Sequence, residues 1–206
     1  VNRRLLGAVA AVVALVLGVG ALFLLLPERG QGPAAAPAST TSAPATPTST
    51  TTAPRVLVDG PVGVPTRIEI AELGVDAPVM AVGTTPENAQ EVPSSLDATG
   101  WWRDGAEPGA PGNAVIVGHT ASVDDAVFDP LVDAEVGDEV FVTGSGGTVA
   151  FTVERTETVP VADFGDVAAD VYRSEGDSGL VLMTCGDWNG NSFESTVIVH
   201  AVPTGA

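Results

Sequence analysis

The chain has 206 residues, with eight arginines, no lysine and 26 acids, giving a net charge of −18 and a pI near 4.1. This balance excludes a binder of nucleic acid, because affinity for a phosphate backbone comes from counterions released by clustered Lys and Arg. A single cysteine, Cys185, excludes an internal disulfide and any structural zinc site built on two or more thiolates.

In chain order, the first element is the uncharged run 5–26, preceded by Arg3 and Arg4. As a helix it spans about 33 Å against a hydrocarbon core of about 30 Å. It is also longer than the ~7–15 apolar residues of a secretory signal peptide. Residues 1–26 are therefore expected to be a cytoplasmic tip and transmembrane anchor. Arginines precede the run and only Glu28 and Arg29 follow closely, which orients the N-terminus toward the cytoplasm and the remainder outside as a single-pass membrane protein. Residues 27–54 are Pro, Ala, Thr and Ser with little to bury, and are expected to form a disordered linker.

Residues 55–206 have the size of one domain and carry five arginines against 25 acids, a net charge of −20. Val-rich alternating or short apolar runs predict strands at 66–70, 114–117, 139–143, 148–153, 180–184 and 196–202. Gly144, Ser145, Gly146 and Gly147 predict a hairpin between two of them. Helices are expected only as short pieces near 124–132 and 166–172. The pattern is that of a mainly β barrel or sandwich.

Cys185 ends the run Leu180-Val181-Leu182-Met183-Thr184 and precedes the turn residues Gly186-Asp187-Trp188-Asn189-Gly190. A nucleophile at a strand end is held by the sheet yet open to substrate, and a thiol works best beside a base or imidazolium. Only two histidines exist. His119 follows the strand Ala114-Val115-Ile116-Val117-Gly118 at another strand end, and His200 lies inside the last strand as a structural or surface residue. Trp101 and Trp102, adjacent on a strand, are expected to face opposite sides, one in the core and one on the surface. The acids Asp124, Asp125, Asp129, Asp133, Glu135, Asp138 and Glu139 offer oxygens for Ca²⁺ but lack the ligand order of an EF-hand loop; they read as a solvated face, and no cofactor or metal is expected.

Taken in order, several segments resemble the sortases, cysteine transpeptidases of Gram-positive bacteria, and in particular their class E and class F enzymes from actinobacteria. They are Pro65-Thr66-Arg67-Ile68-Glu69-Ile70, Leu73-Gly74-Val75-Asp76-Ala77-Pro78-Val79, Gly100-Trp101-Trp102-Arg103-Asp104-Gly105, Pro108-Gly109-Ala110-Pro111-Gly112-Asn113, the run from Ala114 to Thr120, Val127-Phe128-Asp129-Pro130-Leu131, Val136-Gly137-Asp138-Glu139-Val140, and Leu180 to Gly186. The last is similar to the signature Thr-Leu-x-Thr-Cys, with Val181 in place of its first Thr. The resemblance implies a closed β-barrel with short helices over 55–206, lying outside the cell.

It further implies that Cys185 attacks the Thr-Gly bond of a Leu-Pro-x-Thr-Gly-like sorting signal on a surface protein, forming a thioacyl intermediate. His119 then protonates the leaving amine and deprotonates an incoming amine from peptidoglycan or a pilin. A thioester divides amide cleavage into two easier steps, and an amine leaves only when protonated. Thr184, Gly186 and Trp188 are the neighbouring substrate-binding candidates. By the resemblance an arginine belongs shortly before the last apolar run, where this chain has Phe193-Glu194-Ser195-Thr196. Glu194 stands at the expected place, and no arginine follows Arg173. Three readings stay open. Another donor, such as Arg103, Arg173, Asn189, Asn191 or a backbone N–H near Gly186, substitutes; the enzyme is slow or selective, with Glu194 recognising a basic feature of the substrate or acceptor; or the domain is a weak or inactive sortase-like module that binds sorting-signal peptides.

Overall fold

The computed structural model describes residues 55–86 and 89–204. Eight strands carry the fold: β1 (Pro65–Ile70), β2 (Val75–Val82), β3 (Thr99–Trp102), β4 (Gly112–Val117), β5 (Glu139–Gly144), β6 (Gly147–Pro160), β7 (Ser178–Trp188) and β8 (Phe193–Pro203). They close into a barrel in the order β1-β2-β3-β4-β7-β8-β6-β5, with β5 returning to β1. The strand-forming runs read from the sequence all lie in these strands. β6 extends seven residues past the expected 153, because Arg155 to Pro160 pair with β8. The expected hairpin is present, with Gly144 paired to Gly147 across Ser145-Gly146. Gly147 has φ +133°, a conformation that a Cβ would strain.

The inner faces of the strands fill the barrel with Ile68, Ile70, Ile116, Phe151, Leu180, Leu182 and Val199, joined by Phe128 from the segment after β4, all fully or almost fully buried. Truncating a ring such as Phe151 there costs about 3–5 kcal/mol. A second, smaller core lies on the outer face of β4, β7 and β8, where Val115, Val117, Val181, Met183 and Ile198 meet the helix α1 (Phe164–Val171). Phe164, Val167, Ala168 and Val171 recur at the i, i+3, i+4, i+7 spacing of one helical face, which explains why so short a helix docks there. Asn113 ties its end to β4: its Nδ2 donates to Asp170 O at 2.7 Å, and Arg173 donates to its Oδ1 at 2.9 Å.

Two expectations are corrected. The helix expected near 124–132 is a short 3₁₀ turn, Asp129–Asp133. Asp129 accepts from Ala121 N and Ala126 N, local bonds that compete with helix, and Pro130 has no N–H to add to a helix. The transmembrane helix is the second. Among the described residues no helix is long and apolar enough to cross a membrane; α1, with 8 residues, spans about 12 Å where a crossing needs about 20 residues. The expected anchor 1–26 and linker 27–54 lie outside the described residues. The single-pass localisation that rested on that helix is withdrawn with it, and the fold stands as a closed eight-stranded barrel with short helices.

His200, on the outer face of β8, is 9% exposed and bonds through Nε2 to Glu157 Oε1 at 3.0 Å, while Arg155 bridges Glu157 and Asp170. Burial, reinforced by the Arg155 charge, holds its pKa below the ordinary histidine value against the opposing pull of Glu157. The unfolded chain then takes up the proton first. His200 therefore adds stability above about pH 6.5, which is lost as pH falls through the lower, folded value. His200→Gln is expected to remove this part of the acid sensitivity. The melting temperature of the wild type relative to the variant should fall between pH 7 and pH 5, and a constant difference across that range would refute the assignment.

Candidate active site

Strands β4 and β7 run parallel, with Val115 beside Val181, Ile116 beside Leu182 and Val117 beside Met183. Two steps further along the same register, His119 comes beside Cys185. The alignment persists beyond the strand end, since Gly118 N donates to Met183 O at 3.1 Å and Thr184 Oγ1 donates to Gly118 O at 2.9 Å. Successive side chains alternate across a sheet, so 115, 117 and 119 on one strand and 181, 183 and 185 on the other share the outer face. There they open into a cavity of about 850 Å³ lined by both His119 and Cys185.

The cavity is mostly apolar. Val117 and Met183 form its floor, Phe164, Ala168 and Tyr172 its α1 side, and Trp102 and Val92 another wall. Trp102 and Tyr172 meet edge to face at 5.0 Å between ring centroids, and Tyr172 packs likewise on Phe164 at 6.4 Å. Two polar contacts pin these rings: Trp102 Nε1 donates to Thr84 Oγ1 at 3.0 Å and Tyr172 OH to Gln90 Oε1 at 3.1 Å. Burial pushes the Tyr172 phenol up, so it stays a donor throughout the physiological range. Of the tryptophan pair, Trp101 is in the core at 4% exposure, whereas Trp102 lines the cavity rather than the open surface.

His119 is half-buried, and its Nε2 lies 2.6 Å from Pro93 O. A carbonyl only accepts, so Nε2 carries the proton of that bond, and Nδ1 is the ring nitrogen left to exchange one. Cys185 is an exposed free thiol at the cavity mouth, yet the protein around its sulfur displaces enough water to push its pKa above the ordinary thiol range. The resting sulfur is thus held as a thiol. Such a thiol becomes nucleophilic when the imidazole takes its proton at the moment of attack.

Thr184 is a strap rather than an open binding group. It is buried, and its hydroxyl joins Gly118 O and, at 2.6 Å, Thr120 Oγ1, fastening the ends of β4 and β7 on either side of His119. Thr184→Val removes the donor to the buried Gly118 carbonyl and leaves the Thr120 hydroxyl with only its longer bond to Phe128 O, 3.4 Å. It is expected to cost about 1–3 kcal/mol in thermal unfolding and to lower turnover further than its stability loss explains; full activity with unchanged stability would refute the strap.

Gly186 is half-buried beside Ser195 of β8 and does not line the cavity. Asp187 follows it at φ +55°, a conformation that Asp tolerates better than most side chains. Trp188 is 45% exposed and stacks on Phe193 at the hairpin tip, 4.9 Å between centroids. Glu194 is exposed and accepts from Asn189 Nδ2 at 2.6 Å. Asn189 also accepts from Asn191 N and Ser192 N, so these residues build the turn. Arg173 is spent on Asn113 and the Glu175 carbonyl, and the Arg103 guanidinium lies against Gly83. Among the described residues no arginine lines the cavity, and no group of three or more His, Cys, Asp or Glu stands together to hold a metal.

The residue of β8 directly across from Cys185 is Thr196, which also lines the cavity. Sequence reading missed it, along with Met183, Trp102, Tyr172 and Gln90. For Met183 and Thr196 a signal existed: each shares the period-two parity of its strand's outer face. Tyr172 and Gln90 gave none, because their arrival at the cavity depends on how α1 and the segment after β2 fold back.

A family profile described as "Sortase domain" matches residues 68–204. Among solved structures, the chain is similar to sortase C-1 from Actinomyces oris, at 19% identity over 68% of this chain and 74% of that one, TM-score 0.54. It is similar to sortase A of Listeria monocytogenes at 19% identity over 70% and 87%, TM-score 0.53. It is also similar to sortase C-1 from Streptococcus pneumoniae at 24% identity over 68% and 67%, TM-score 0.52. At these identities the structural likeness bears on the fold alone. No curated protein matches the chain.

Proposed function

The chain belongs to the sortase family, and from that premise we propose that it is a cysteine transpeptidase in which Cys185 is the nucleophile and His119 the general acid and base. The observation that carries this is the parallel register of β4 and β7, which brings the two side chains together at the mouth of one apolar cavity. The substrate is a Leu-Pro-x-Thr-Gly-like sorting signal on a surface protein. Its leucine and proline suit the uncharged walls of Val92, Trp102, Phe164 and Met183. The order of the motifs, from Gly100-Trp101-Trp102 to Leu180-Val181-Leu182-Met183-Thr184-Cys185, supports a class E/F-like member.

In the reaction, His119 takes the Cys185 proton as Sγ attacks the threonine carbonyl carbon, and returns it to the glycine nitrogen as the C–N bond breaks. An amine from peptidoglycan or a pilin then gives a proton to His119 as its nitrogen attacks the thioester carbon, the C–S bond breaks, and His119 passes that proton to the departing Cys185 sulfur. The test is incubation of the purified protein with sorting-signal peptides and hydroxylamine, followed by mass spectrometry. A peptidyl mass on Cys185 and a peptidyl hydroxamate are expected. Peptide retained without adduct or product across the panel would leave the alternative, a sortase-like module that only binds such peptides.

A further inference from the structure

Attack on an amide carbonyl moves the C=O π pair onto oxygen, and a site that lowers this barrier aims a donor at that oxygen. No lysine exists in the chain, and no arginine lines the cavity among the described residues. Most of the cavity's other polar groups are already committed. Thr184 Oγ1 is held by Gly118 and Thr120, Thr84 Oγ1 receives Trp102 Nε1, Gln90 Oε1 receives Tyr172 OH while its Nε2 is left without a partner, and His119 Nε2 faces Pro93 O. Thr196 differs. Its hydroxyl enters no hydrogen bond with any described residue, although it is half-buried on the cavity wall.

Its place is set by pairing. Cys185 and Thr196 are direct antiparallel partners, and such partners project from the same face with Cβ atoms about 4.5–5.5 Å apart. A carbonyl carbon bonded to Sγ therefore carries its oxygen within reach of Oγ1. Val197 and Ser195, on either side of Thr196, point to the opposite face, and Ser195 packs against Gly186 there. Glu194 shares the face of Thr196 but is held at the hairpin by Asn189 and does not line the cavity.

We infer that Thr196 is the oxyanion donor of this site: its O–H donates to the substrate carbonyl oxygen as Cys185 attacks. The inference rests on the reading of Cys185 as the nucleophile. Thr196 keeps its proton throughout. The Sγ–C bond forms, the π pair moves to oxygen and is held there by the Thr196 hydroxyl, and the Cys185 proton sits on His119. Collapse restores C=O, breaks C–N, and delivers the His119 proton to the leaving nitrogen. A neutral hydroxyl at the donor position also keeps the cavity uncharged, in keeping with an apolar substrate segment.

Thr196→Val keeps the shape and removes the donor; Thr196→Ser keeps the donor. Three readouts separate the roles: steady-state turnover of a sorting-signal peptide with hydroxylamine, affinity for the same peptide ending in a threonine aldehyde, and alkylation of Cys185 by iodoacetamide, which creates no oxyanion. Thr196→Val is expected to lower kcat and aldehyde affinity by about 10- to 100-fold, to leave KM and the alkylation rate within about twofold, and Thr196→Ser to recover most of the loss. Turnover and aldehyde affinity unchanged in Thr196→Val would overturn the inference while leaving the proposed function intact. So would a parallel fall in alkylation, which marks a structural role. A wild-type protein that neither turns over the peptide nor captures the aldehyde would sink the nucleophile reading itself, and Thr196 with it.

Discussion

Cys185→Ala is expected to abolish peptide turnover, with a fall on the order of 10⁴-fold or more, because covalent catalysis has no second route once the nucleophile is gone. The structure gives the change little else to act through. Cys185 is exposed at the cavity mouth and makes no hydrogen bond with the described residues, so the variant should fold with unaltered thermal stability. It should still bind a sorting-signal peptide, since the apolar walls are untouched. Turnover surviving in Cys185→Ala would refute the mechanism outright. The wild-type thiol offers a further check. With its pKa pushed up by burial, its alkylation by iodoacetamide should keep rising with pH beyond the range in which an ordinary free thiol levels off. Early levelling would mean that the thiolate is stabilised rather than disfavoured.

His119→Gln is expected to lower kcat by about 10²–10⁴-fold, the usual worth of a positioned general acid and base. Glutamine keeps an N–H for Pro93 O, so the loop beside the cavity stays held and the loss reports proton transfer rather than shape. Two steps should suffer differently. A thiol that rests protonated needs a base for attack, and a departing amine needs an acid. A substrate whose leaving group departs without a proton, such as an activated thioester or aryl ester of the same peptide, should therefore recover part of the loss. If amide and activated ester fall equally, His119 acts on the attack alone. If neither falls, it is not the base, and the parallel register of β4 and β7 has only structural meaning.

The barrel strands were legible because they obey period two in Val-rich runs bounded by Gly, Pro and Asp. The hairpin at 144–147 was legible from its cluster of glycines, although only Gly147 takes a positive φ. The region near 124–132 misled, because its apolar spacing resembles a helix whereas Asp129 ties itself to two backbone N–H groups and holds a 3₁₀ turn. At the site, Cys185 and His119 were visible as reactive residues at strand ends. Glu194 drew attention because the family resemblance implies an arginine at its place. Counting along the chain cannot reveal pairing: across the hairpin, Thr196 and not Glu194 lies opposite Cys185. Arg173 and Asn189 looked available in sequence and are spent in the structure on Asn113 and Glu194.

By itself the sequence determined the residue types available for chemistry: one thiol, two imidazoles and no lysine, set among alternating apolar runs that dictate a β domain. These follow from composition and from periodicity, both local properties. Which of those residues meet was decided only by the closed barrel. Residues 66 positions apart, His119 and Cys185, become neighbours because β4 and β7 pair in parallel, and α1 then lays Phe164 and Tyr172 over the outer face to wall the cavity. Parallel pairing needs a long crossover, and its register is set by burying Val115, Val117, Val181 and Met183 on one face while Ile116 and Leu182 fill the barrel on the other. A one-residue slip would turn Cys185 toward the interior, so packing of the two cores, a property of the whole domain, fixes the site.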